Sequence, residues 1–314
     1  MSFSDHRIVQ SPSGAQLKLY VRRAQAAPLG IIQVNHGIAE HAARYGRFAE
    51  AMAAHGFHVY AHDHRGHGGT TAPDAPQGMF GRPDGVAKLI ADVAAIHDLI
   101  ALEQPGLPVI VFGHSMGGLV AMNFVLMHSA RVAAAAIWNA NFSAGLLGRF
   151  AQAILAWERF RLGSDVPSRI LPQLTFGAWS KQVTDRRTEF DWLSRDPTEV
   201  DKYVADPLCG WNASISMWIN VFHLVFFGAD DRNFAGVRKE LPFNLVGGEN
   251  DPATSGGKAV LDLATRLKRM GFSDVVTKVY GETRHESLNE LNRNVITEDF
   301  AAWAERAVSE ASRQ

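Results

Sequence analysis

The sequence of 314 residues has almost no cysteine, since Cys209 is the only one. One cysteine cannot form a disulfide within the chain or build a cysteine-based metal site, and its scarcity fits a reducing compartment. An excess of charge is also absent, because 31 lysines and arginines are matched by 32 aspartates and glutamates. Surfaces that bind phosphate backbones normally carry a basic excess, so we expect no nucleic acid as partner.

A long hydrophobic run is missing as well. The longest apolar stretch, residues 214–229, contains Asn220 and His223 and is shorter than the ~20 residues that a membrane-spanning helix needs. The N-terminal sequence MSFSDHRIVQSPSG lacks the basic and then apolar layout of a signal peptide. We therefore predict a soluble, cytoplasmic protein without a transmembrane segment. Transient contact with a membrane surface stays open, and the sequence gives no prediction of the oligomeric state.

Strands and helices alternate over most of the chain. Two alternating segments, 6–10 and 16–23, predict an N-terminal antiparallel hairpin. After them, continuous apolar strands such as 30–37 and 108–115 alternate with segments of helical periodicity, which include 41–55 and a closing helix over 286–309. Uniformly apolar strands between helices predict an α/β fold with a mostly parallel central sheet and helices on both of its faces.

The alternation stops in the middle of the sequence, between about residues 141 and 235. This part holds five of the seven tryptophans: Trp157, Trp179, Trp192, Trp211 and Trp218. We predict that residues 1–140 and 236–314 form the two parts of an α/β core. Residues 141–235 are then a mainly helical insertion, which either packs around a core of its own or forms a cap with an acyl-chain tunnel.

The sharpest chemical signal is GHSMG, the residues Gly113-His114-Ser115-Met116-Gly117, between a predicted strand and a predicted helix. A serine at such a turn has a strained backbone and projects from the top of the sheet. The flanking glycines leave room for the neighbouring chain. The context predicts that Ser115 is a nucleophile; the alternative is a tight structural turn with an incidental serine.

A nucleophilic serine needs a histidine as general base and a carboxylate that orients it. In this kind of fold the histidine comes last in the chain, which leaves His223 and His285. His285 directly follows the last predicted strand and is favoured, whereas His223 is predicted to be buried or to line a cavity. In the sequence VGGENDP both Glu249 and Asp251 follow a strand. Asp251 is favoured and Glu249 stays the alternative.

The oxyanion of a tetrahedral intermediate needs two backbone N–H donors that are already in place. The residue after the nucleophile, Met116, is predicted to supply one of them. Ile38 is predicted to supply the other from the loop His36-Gly37-Ile38, which follows an earlier strand. Gly37 lets this loop approach the site closely.

Several segments together resemble one branch of the α/β-hydrolases, the monoacylglycerol lipases and lysophospholipase-like enzymes. They are NHGIAEHAARY, AHDHRGHG, GHSMGG, WLSRDPTEVDKYVADPLCG, GGENDP and TRHESLNE. The resemblance runs from about Ser11 to the C-terminal helix. It implies a serine carboxylic ester hydrolase that acts on monoacylglycerols or similar lipid esters through an acyl-enzyme intermediate. Ser115, Asp251 and His285 would form the catalytic triad, and no cofactor is needed.

The resemblance also implies two residues that shape the site, Glu40 and Arg44. They are four positions apart, and we expect an ion pair at a helix start that holds the oxyanion loop. The second half of the insertion, FHLVFFGADDRNFAGVRKE, departs from the family pattern. Acyl-chain length and head group therefore cannot be carried over.

Other activities use the same chemistry. A lysophospholipase or phospholipase A is the first alternative, followed by a serine aminopeptidase or thioesterase. A dehalogenase would have an aspartate in place of Ser115. A non-catalytic binding scaffold is the least favoured alternative, because such scaffolds usually have an incomplete triad.

The stretch AHDHRGHGG, residues 61–69, has the density of histidine and aspartate that is typical of metal-binding loops. Its order does not match a known ligand spacing, and no second cluster supplies further ligands, so we predict no metal here. Asp63 and the side chains of His62, His64 and His67 are instead predicted to hydrogen-bond backbone groups of neighbouring loops, including the turn at Ser115.

Overall fold

The computed structural model describes residues 3–143 and 145–311, and the strands in these ranges form one sheet. They are β1 (Asp5–Gln10), β2 (Gln16–Arg22), β3 (Gly30–Asn35), β4 (Phe57–His62), β5 (Val109–His114), β6 (Ala134–Trp138), β7 (Phe243–Gly248) and β8 (Val275–Tyr280). The helices are α1 (Gly46–Ala54), α2 (Gly85–Glu103), α3 (Met116–His128), α4 (Leu146–Leu162), α5 (Ala178–Lys181), α6 (Pro197–Ala205), α7 (Ile215–Ala229), α8 (Lys258–Arg269) and α9 (Arg293–Ala311).

The strands lie in the order β1-β2-β4-β3-β5-β6-β7-β8. From β4 to β8 all neighbours are parallel, whereas β1, β2 and β4 pair antiparallel. Strands β3 to β7 are buried at every position, which explains their continuous apolar sequence. The predicted α/β fold with a mostly parallel sheet is confirmed, as is the N-terminal hairpin.

Consecutive residues of the central strand β5 show how helices cover both faces of the sheet. Phe112 packs on one face against Phe48 of α1 and Phe300 of α9, with ring centroids 5.2 and 5.7 Å away. The preceding residue, Val111, belongs to the apolar cluster of the other face, which includes Phe124 of α3. Successive side chains of a strand point to opposite faces of the sheet, so neighbouring residues of β5 contact helices on different sides.

Two helices differ from their predicted bounds. The segment 41–55 begins with a 3-10 turn over Ala42–Tyr45, and α1 follows it. The closing helix, predicted from residue 286, begins only at Arg293. The residues before it form a loop with a short 3-10 turn, because the Glu286 and Glu290 side chains bind groups elsewhere in the fold instead of continuing a helix surface.

The inserted segment, residues 141–235, leaves the sheet after β6 and returns before β7. Helices α4 to α7 lie within it, and α7 packs on α3, so that buried residues of both belong to one apolar cluster. The segment lies beyond the carboxyl end of β6, which is the edge where open parallel sheets build their sites. In the ranges 3–143 and 145–311, no helix combines the length and the apolar character needed to cross a membrane.

Candidate active site

The turn between β5 and α3 places Ser115 at the carboxyl edge of the sheet. Its backbone has φ 56° and ψ −122°, a conformation that side-chain-bearing residues rarely adopt. A Cβ atom at Gly113 would collide with the carbonyl of Gly117, and one at Gly117 would collide with that of Asn35. Glycine is therefore required on both sides of the serine, as the sequence pattern indicates. The backbone N–H of Ser115 donates to the Trp138 carbonyl at 2.9 Å and anchors the turn to β6.

Three side chains from different parts of the chain meet at this turn. His285 Nε2 lies 2.9 Å from Ser115 Oγ, and His285 Nδ1 lies 3.0 Å from Asp251 Oδ1. Asp251 and His285 are buried, while the serine hydroxyl faces a cavity. A neutral imidazole that donates from Nδ1 to the carboxylate can accept the serine proton at Nε2.

The Asp251 carboxylate is surrounded by hydrogen-bond donors. Its Oδ1 also accepts from the backbone N–H of Ala253 at 2.9 Å, and its Oδ2 accepts from Asn139 Nδ2 at 3.1 Å and Thr254 Oγ1 at 2.8 Å. Burial alone would raise the pKa of Asp251, but His285 and these donors together lower it below its ordinary value. The carboxylate therefore stays ionised beside the imidazole.

The two alternatives from the sequence lie elsewhere. His223 is on α7 with its side chain exposed, so of the two roles predicted for it burial is wrong and lining a cavity is confirmed. It lines a separate groove with residues such as Arg149 and Asn233. Glu249 is exposed on the sheet edge, where its carboxylate accepts from the backbone N–H of Glu282 at 3.3 Å.

The predicted oxyanion donors both border the cavity. Met116 is the first residue of α3, so its N–H lies in the first turn, where helical N–H groups have no partner four residues back. Ile38 borders the cavity from the loop after β3. In that loop, His36 Nδ1 lies 2.7 Å from the Gly37 carbonyl, and His36 Nε2 accepts from the His64 N–H at 2.9 Å.

Buried charges hold the oxyanion loop to the loop of His285. The Gly37 N–H donates to Glu40 Oε1 at 2.6 Å, and Arg44 donates to Glu40 Oε2 at 2.5 Å. Arg44 also forms two hydrogen bonds with Glu286, at 2.6 and 2.7 Å. Burial would raise the pKa of Glu40, but Arg44 and His114 hold it well below its usual range. Glu286 thus joins the predicted Glu40–Arg44 ion pair, and the sequence did not predict this third residue.

His114, inside the GHSMG motif, lies between these two loops. Its Nε2 is 2.9 Å from the His285 carbonyl, and its Nδ1 is 3.6 Å from Glu40 Oε1. Burial would lower the pKa of His114, but Glu40 and Glu286 raise it above its ordinary value. The side chain therefore joins the backbone of His285 to Glu40 of the oxyanion loop.

Residues 61–67 of the stretch 61–69 are buried beneath the oxyanion loop. Asp63 accepts from the N–H groups of Ala42 and Gly69, both at 2.8 Å, as predicted for this residue. The prediction is wrong for His62 and His64, because none of their ring nitrogens has a hydrogen-bond partner among the described residues. His67 Nδ1 lies 3.1 Å from the Arg65 carbonyl, a backbone group of the same stretch. Burial keeps the rings of His62 and His64 neutral, and they pack against one another and against His36 in place of forming polar contacts.

The histidines of this stretch do not converge on a shared position that could hold a metal. Among the described residues, one group of three side chains has ligand atoms close enough together, and it consists of His41, Asp206 and Cys209. That group lies outside residues 61–69. Its His41 Nε2 lies 2.8 Å from Asp206 Oδ2, a distance that an ordinary hydrogen bond explains.

The buried histidines predict a loss of stability in mild acid. Burial lowers the pKa of His62 and of His67 from 6.5 to about 3. Between these values the unfolded chain binds protons that the folded chain does not, so stability falls as the pH drops below 6.5. At pH 5 each histidine should cost about 2 kcal/mol of unfolding free energy relative to pH 7.

Urea unfolding between pH 7 and pH 5 measures this effect. The His62→Leu variant should show a pH slope that is smaller by about one proton, whereas a variant of the exposed His6, His6→Gln, should keep the wild-type slope. Equal slopes for wild type and His62→Leu would contradict the assignment.

A cavity of about 210 Å³ opens beside Ser115. Its apolar wall comes from α3, α5, the helical turn before α5, and α7, and includes Leu119, Phe176, Trp179, Trp218, Val221, Phe222 and Val225. No lysine or arginine is among the described residues that line it. Its carboxylates, Glu40 and Glu286, are both bound to Arg44. The cavity therefore suits an apolar chain with an uncharged polar end.

Comparison with known proteins identifies the family of the chain. A family model described as serine aminopeptidase, S33 (Hydrolase_4) matches residues 26–292. The chain is 26% identical to a monoacylglycerol lipase of Mycolicibacterium smegmatis over 88% of each protein. It is 27% identical to human monoglyceride lipase, with 90% of this chain and 85% of that protein aligned.

Among solved structures, a thermostable carboxyl esterase from Bacillus coagulans superposes with a TM-score of 0.86 at 24% identity. The superposition covers 98% of this chain and 99% of that one, which shows the same fold. The family model, which spans most of the sequence, and the relatives found together confirm the resemblance noted from the motifs. The chain belongs to the serine aminopeptidase S33 family of α/β-hydrolases, in its monoacylglycerol lipase-like branch.

Proposed function

We propose that this serine carboxylic ester hydrolase cleaves monoacylglycerols, with Ser115, His285 and Asp251 as its catalytic triad. The observation that carries the proposal is the hydrogen-bonded series from Ser115 Oγ through His285 to Asp251, at 2.9 and 3.0 Å, beside an apolar cavity. The lipase names of the relatives from M. smegmatis and human support the same substrate class.

In the first half of the reaction, His285 Nε2 takes the proton of Ser115 as Oγ attacks the ester carbonyl. The backbone N–H groups of Ile38 and Met116 stabilise the negative charge that develops on the carbonyl oxygen. His285, now charged and held by Asp251, gives its proton to the glycerol oxygen as the ester bond breaks. The acyl group remains on Ser115 as an ester.

In the second half, water takes the place of the departed alcohol. His285 accepts a proton from this water, which attacks the acyl carbonyl, and the same two N–H groups stabilise the second oxyanion. The proton then returns from His285 to Ser115 Oγ as the fatty acid leaves. Each step uses only groups of this chain and water.

The cavity favours a neutral head group and a single acyl chain. A phosphate would enter without a lysine or arginine among the described lining residues, and burying an unpaired charge is costly. A volume of about 210 Å³ is below the ~300–1,000 Å³ of most ligand pockets, which favours one chain over two. A substrate ammonium group would also lack a free carboxylate, because Arg44 engages both Glu40 and Glu286.

A substrate panel tests this proposal. We expect monoacylglycerol to have a kcat/KM at least about 100-fold above those of a lysophospholipid with the same acyl chain, a diacyl phospholipid and an aminoacyl anilide, since each unpaired charge costs several kcal/mol. Initial rates of fatty acid or aniline release provide the comparison. Faster cleavage of the lysophospholipid would favour the alternative lysophospholipase function, and faster cleavage of the anilide would favour an aminopeptidase.

We further propose that residues 141–235 form a cap over the site and touch membrane surfaces through α4. Large apolar side chains recur on one side of this helix and are at least half exposed: Leu146, Phe150, Trp157 and Phe160. Arg149, Arg159 and Arg161 flank them, and no described carboxylate lies within ion-pairing distance of these arginines. Exposed aromatic rings with unpaired cations are typical of helices that lie in the interface of anionic membranes.

Vesicle binding tests the membrane contact. The double variant Phe150→Ser, Phe160→Ser should lower affinity for vesicles that contain anionic lipid at least about tenfold, because each phenylalanine loses apolar burial. Hydrolysis of a short, water-soluble ester should be unchanged. The control is Leu102→Ser, which removes an equally exposed apolar side chain from α2. Equal vesicle affinity of the double variant and wild type would contradict the contact.

A further inference from the structure

The loop that carries His285 contains a buried carboxylate that the proposed reaction does not use. Glu290 has no exposed surface and accepts four hydrogen bonds. Its Oε1 accepts from the backbone N–H groups of Arg195 and Arg284, both at 3.0 Å. Its Oε2 accepts from Arg195 Nε at 3.1 Å and from the Leu291 N–H at 3.0 Å. Arg284 is the residue before His285, so Glu290 joins this backbone to the inserted segment.

The inserted segment makes further contacts with the same loop on both sides of the histidine. Arg284 Nη1 donates to the carbonyls of Asp191 and Ser194, at 2.6 and 3.1 Å. The Glu286 N–H donates to the Leu193 carbonyl at 2.7 Å. We call residues 191–195 the buttress segment, because its backbone runs beside Arg284, His285 and Glu286.

The buttress segment also touches the imidazole. The Trp192 ring lies 5.0 Å from the His285 ring between centroids, and the His285 N–H points to the Trp192 carbonyl at 3.4 Å. Between the end of β8 and the start of α9, the loop has only a three-residue 3-10 turn of its own. Its shape therefore depends on partners outside it, and Glu290 ties two points of the loop, Arg284 and Leu291, to Arg195 of the inserted segment.

We propose that Glu290 is a positioning residue for catalysis, which fastens the His285 loop to the buttress segment and so aligns the imidazole with Ser115 and Asp251. This proposal rests on the proposed role of His285 as general base. The insertion then has two tasks, because it borders the substrate cavity and also supports the backbone of the catalytic histidine. An angstrom of misplacement at such a group can cost about 100-fold in rate.

The variant Glu290→Gln tests the proposal with little change in volume. All four partners of the carboxylate are N–H donors, so whichever way the amide is turned, its NH2 group faces two donors. We expect kcat for monoacylglycerol hydrolysis to fall at least about tenfold while KM changes less than about twofold. The downfield proton resonance of the His285–Asp251 hydrogen bond should shift or broaden as well. The control is Glu282→Gln, since Glu282 is in the same loop, binds the same Arg195, and is exposed.

A purely structural role would give a different result. It would lower the thermal midpoint of Glu290→Gln but leave kcat per folded active site and the proton resonance as in wild type, and that outcome would overturn the proposal. If Glu290→Gln does not fold, Arg195→Met removes the Nε bond to Glu290 Oε2 and should show the same split between kcat and KM. An unchanged kcat in Arg195→Met would equally overturn it. A wild-type protein that does not hydrolyse monoacylglycerol would instead contradict the proposed function. The failure of that function can therefore be told apart from the failure of the proposal for Glu290.

Discussion

Replacing Ser115 with alanine is expected to lower the rate of ester hydrolysis at least about 10⁴-fold. The variant loses the oxygen that lies 2.9 Å from His285 Nε2 and would form the acyl-enzyme. The cavity and the backbone N–H groups of Ile38 and Met116 remain, so a residual rate from substrate binding and oxyanion stabilisation can persist. Release of p-nitrophenol from a medium-chain ester measures the loss over a wide range.

The stability of Ser115→Ala should match that of wild type within about 0.5 kcal/mol, since alanine has the same Cβ and bears the same backbone strain at φ 56°. The matched control is Ser143→Ala, because Ser143 borders the same cavity but has no contact with His285. Its activity should stay near that of wild type. Hydrolysis by Ser115→Ala at the wild-type rate would contradict the assignment of Ser115 as the nucleophile.

The parts of the site that could be read from the sequence are those set by local geometry. The GHSMG motif reports a strand-to-helix turn because a Cβ atom at either glycine would collide with a neighbouring backbone carbonyl. Asp251 and His285 each follow directly after a strand of a parallel sheet, and the carboxyl ends of such strands meet at one edge. The order of the residues along the chain and their positions at strand ends were therefore enough to predict that Ser115, Asp251 and His285 lie close together.

The support around the triad could not be read in this way. Arg44 and Glu286 are 242 positions apart, and Glu290 binds Arg195 across 95 positions. No local pattern encodes such pairs, because each charge alone looks like an ordinary residue on a solvated helix face. The helical periodicity of residues 286–309 even indicated a helix where the structure has a loop. In the folded chain, the long-range hydrogen bonds of Glu286 and Glu290 outweigh helix propensity, which is a weak preference per residue.

In the stretch 61–69 the sequence pattern itself was misleading, because His62 and His64 do not form the polar contacts that their residue type suggests. Histidines are read as ligands or as hydrogen-bonding groups, yet His62 and His64 are buried as uncharged rings, and no described residue forms a hydrogen bond with them. Such burial is possible because the imidazole can lose its charge at neutral pH, which avoids the cost of placing an ion in the interior. Sequence patterns report residue types, whereas the protonation state follows from burial that only the fold defines.

Replacing Asp251 with asparagine should lower kcat by about 10³–10⁴-fold with little change in KM. All four groups that contact the Asp251 carboxylate donate hydrogen bonds to it: His285 Nδ1, the Ala253 N–H, Asn139 Nδ2 and Thr254 Oγ1. An asparagine must turn its NH2 group towards one pair of these donors. If it faces His285, the imidazole must accept at Nδ1, and its proton then sits on Nε2, where it cannot take the proton of Ser115.

If the amide turns the other way, its NH2 group opposes the side chain of Asn139, and the imidazolium that forms during attack has no negative charge beside it. Either orientation weakens the base, so the loss does not depend on which one the variant adopts. The control is Glu249→Gln, which removes the other acid that the sequence offers two residues earlier and should leave kcat within about twofold, because that side chain is exposed. Steady-state kinetics of both variants distinguish the two carboxylates. A large loss in Glu249→Gln with an active Asp251→Asn would reassign the acid of the triad.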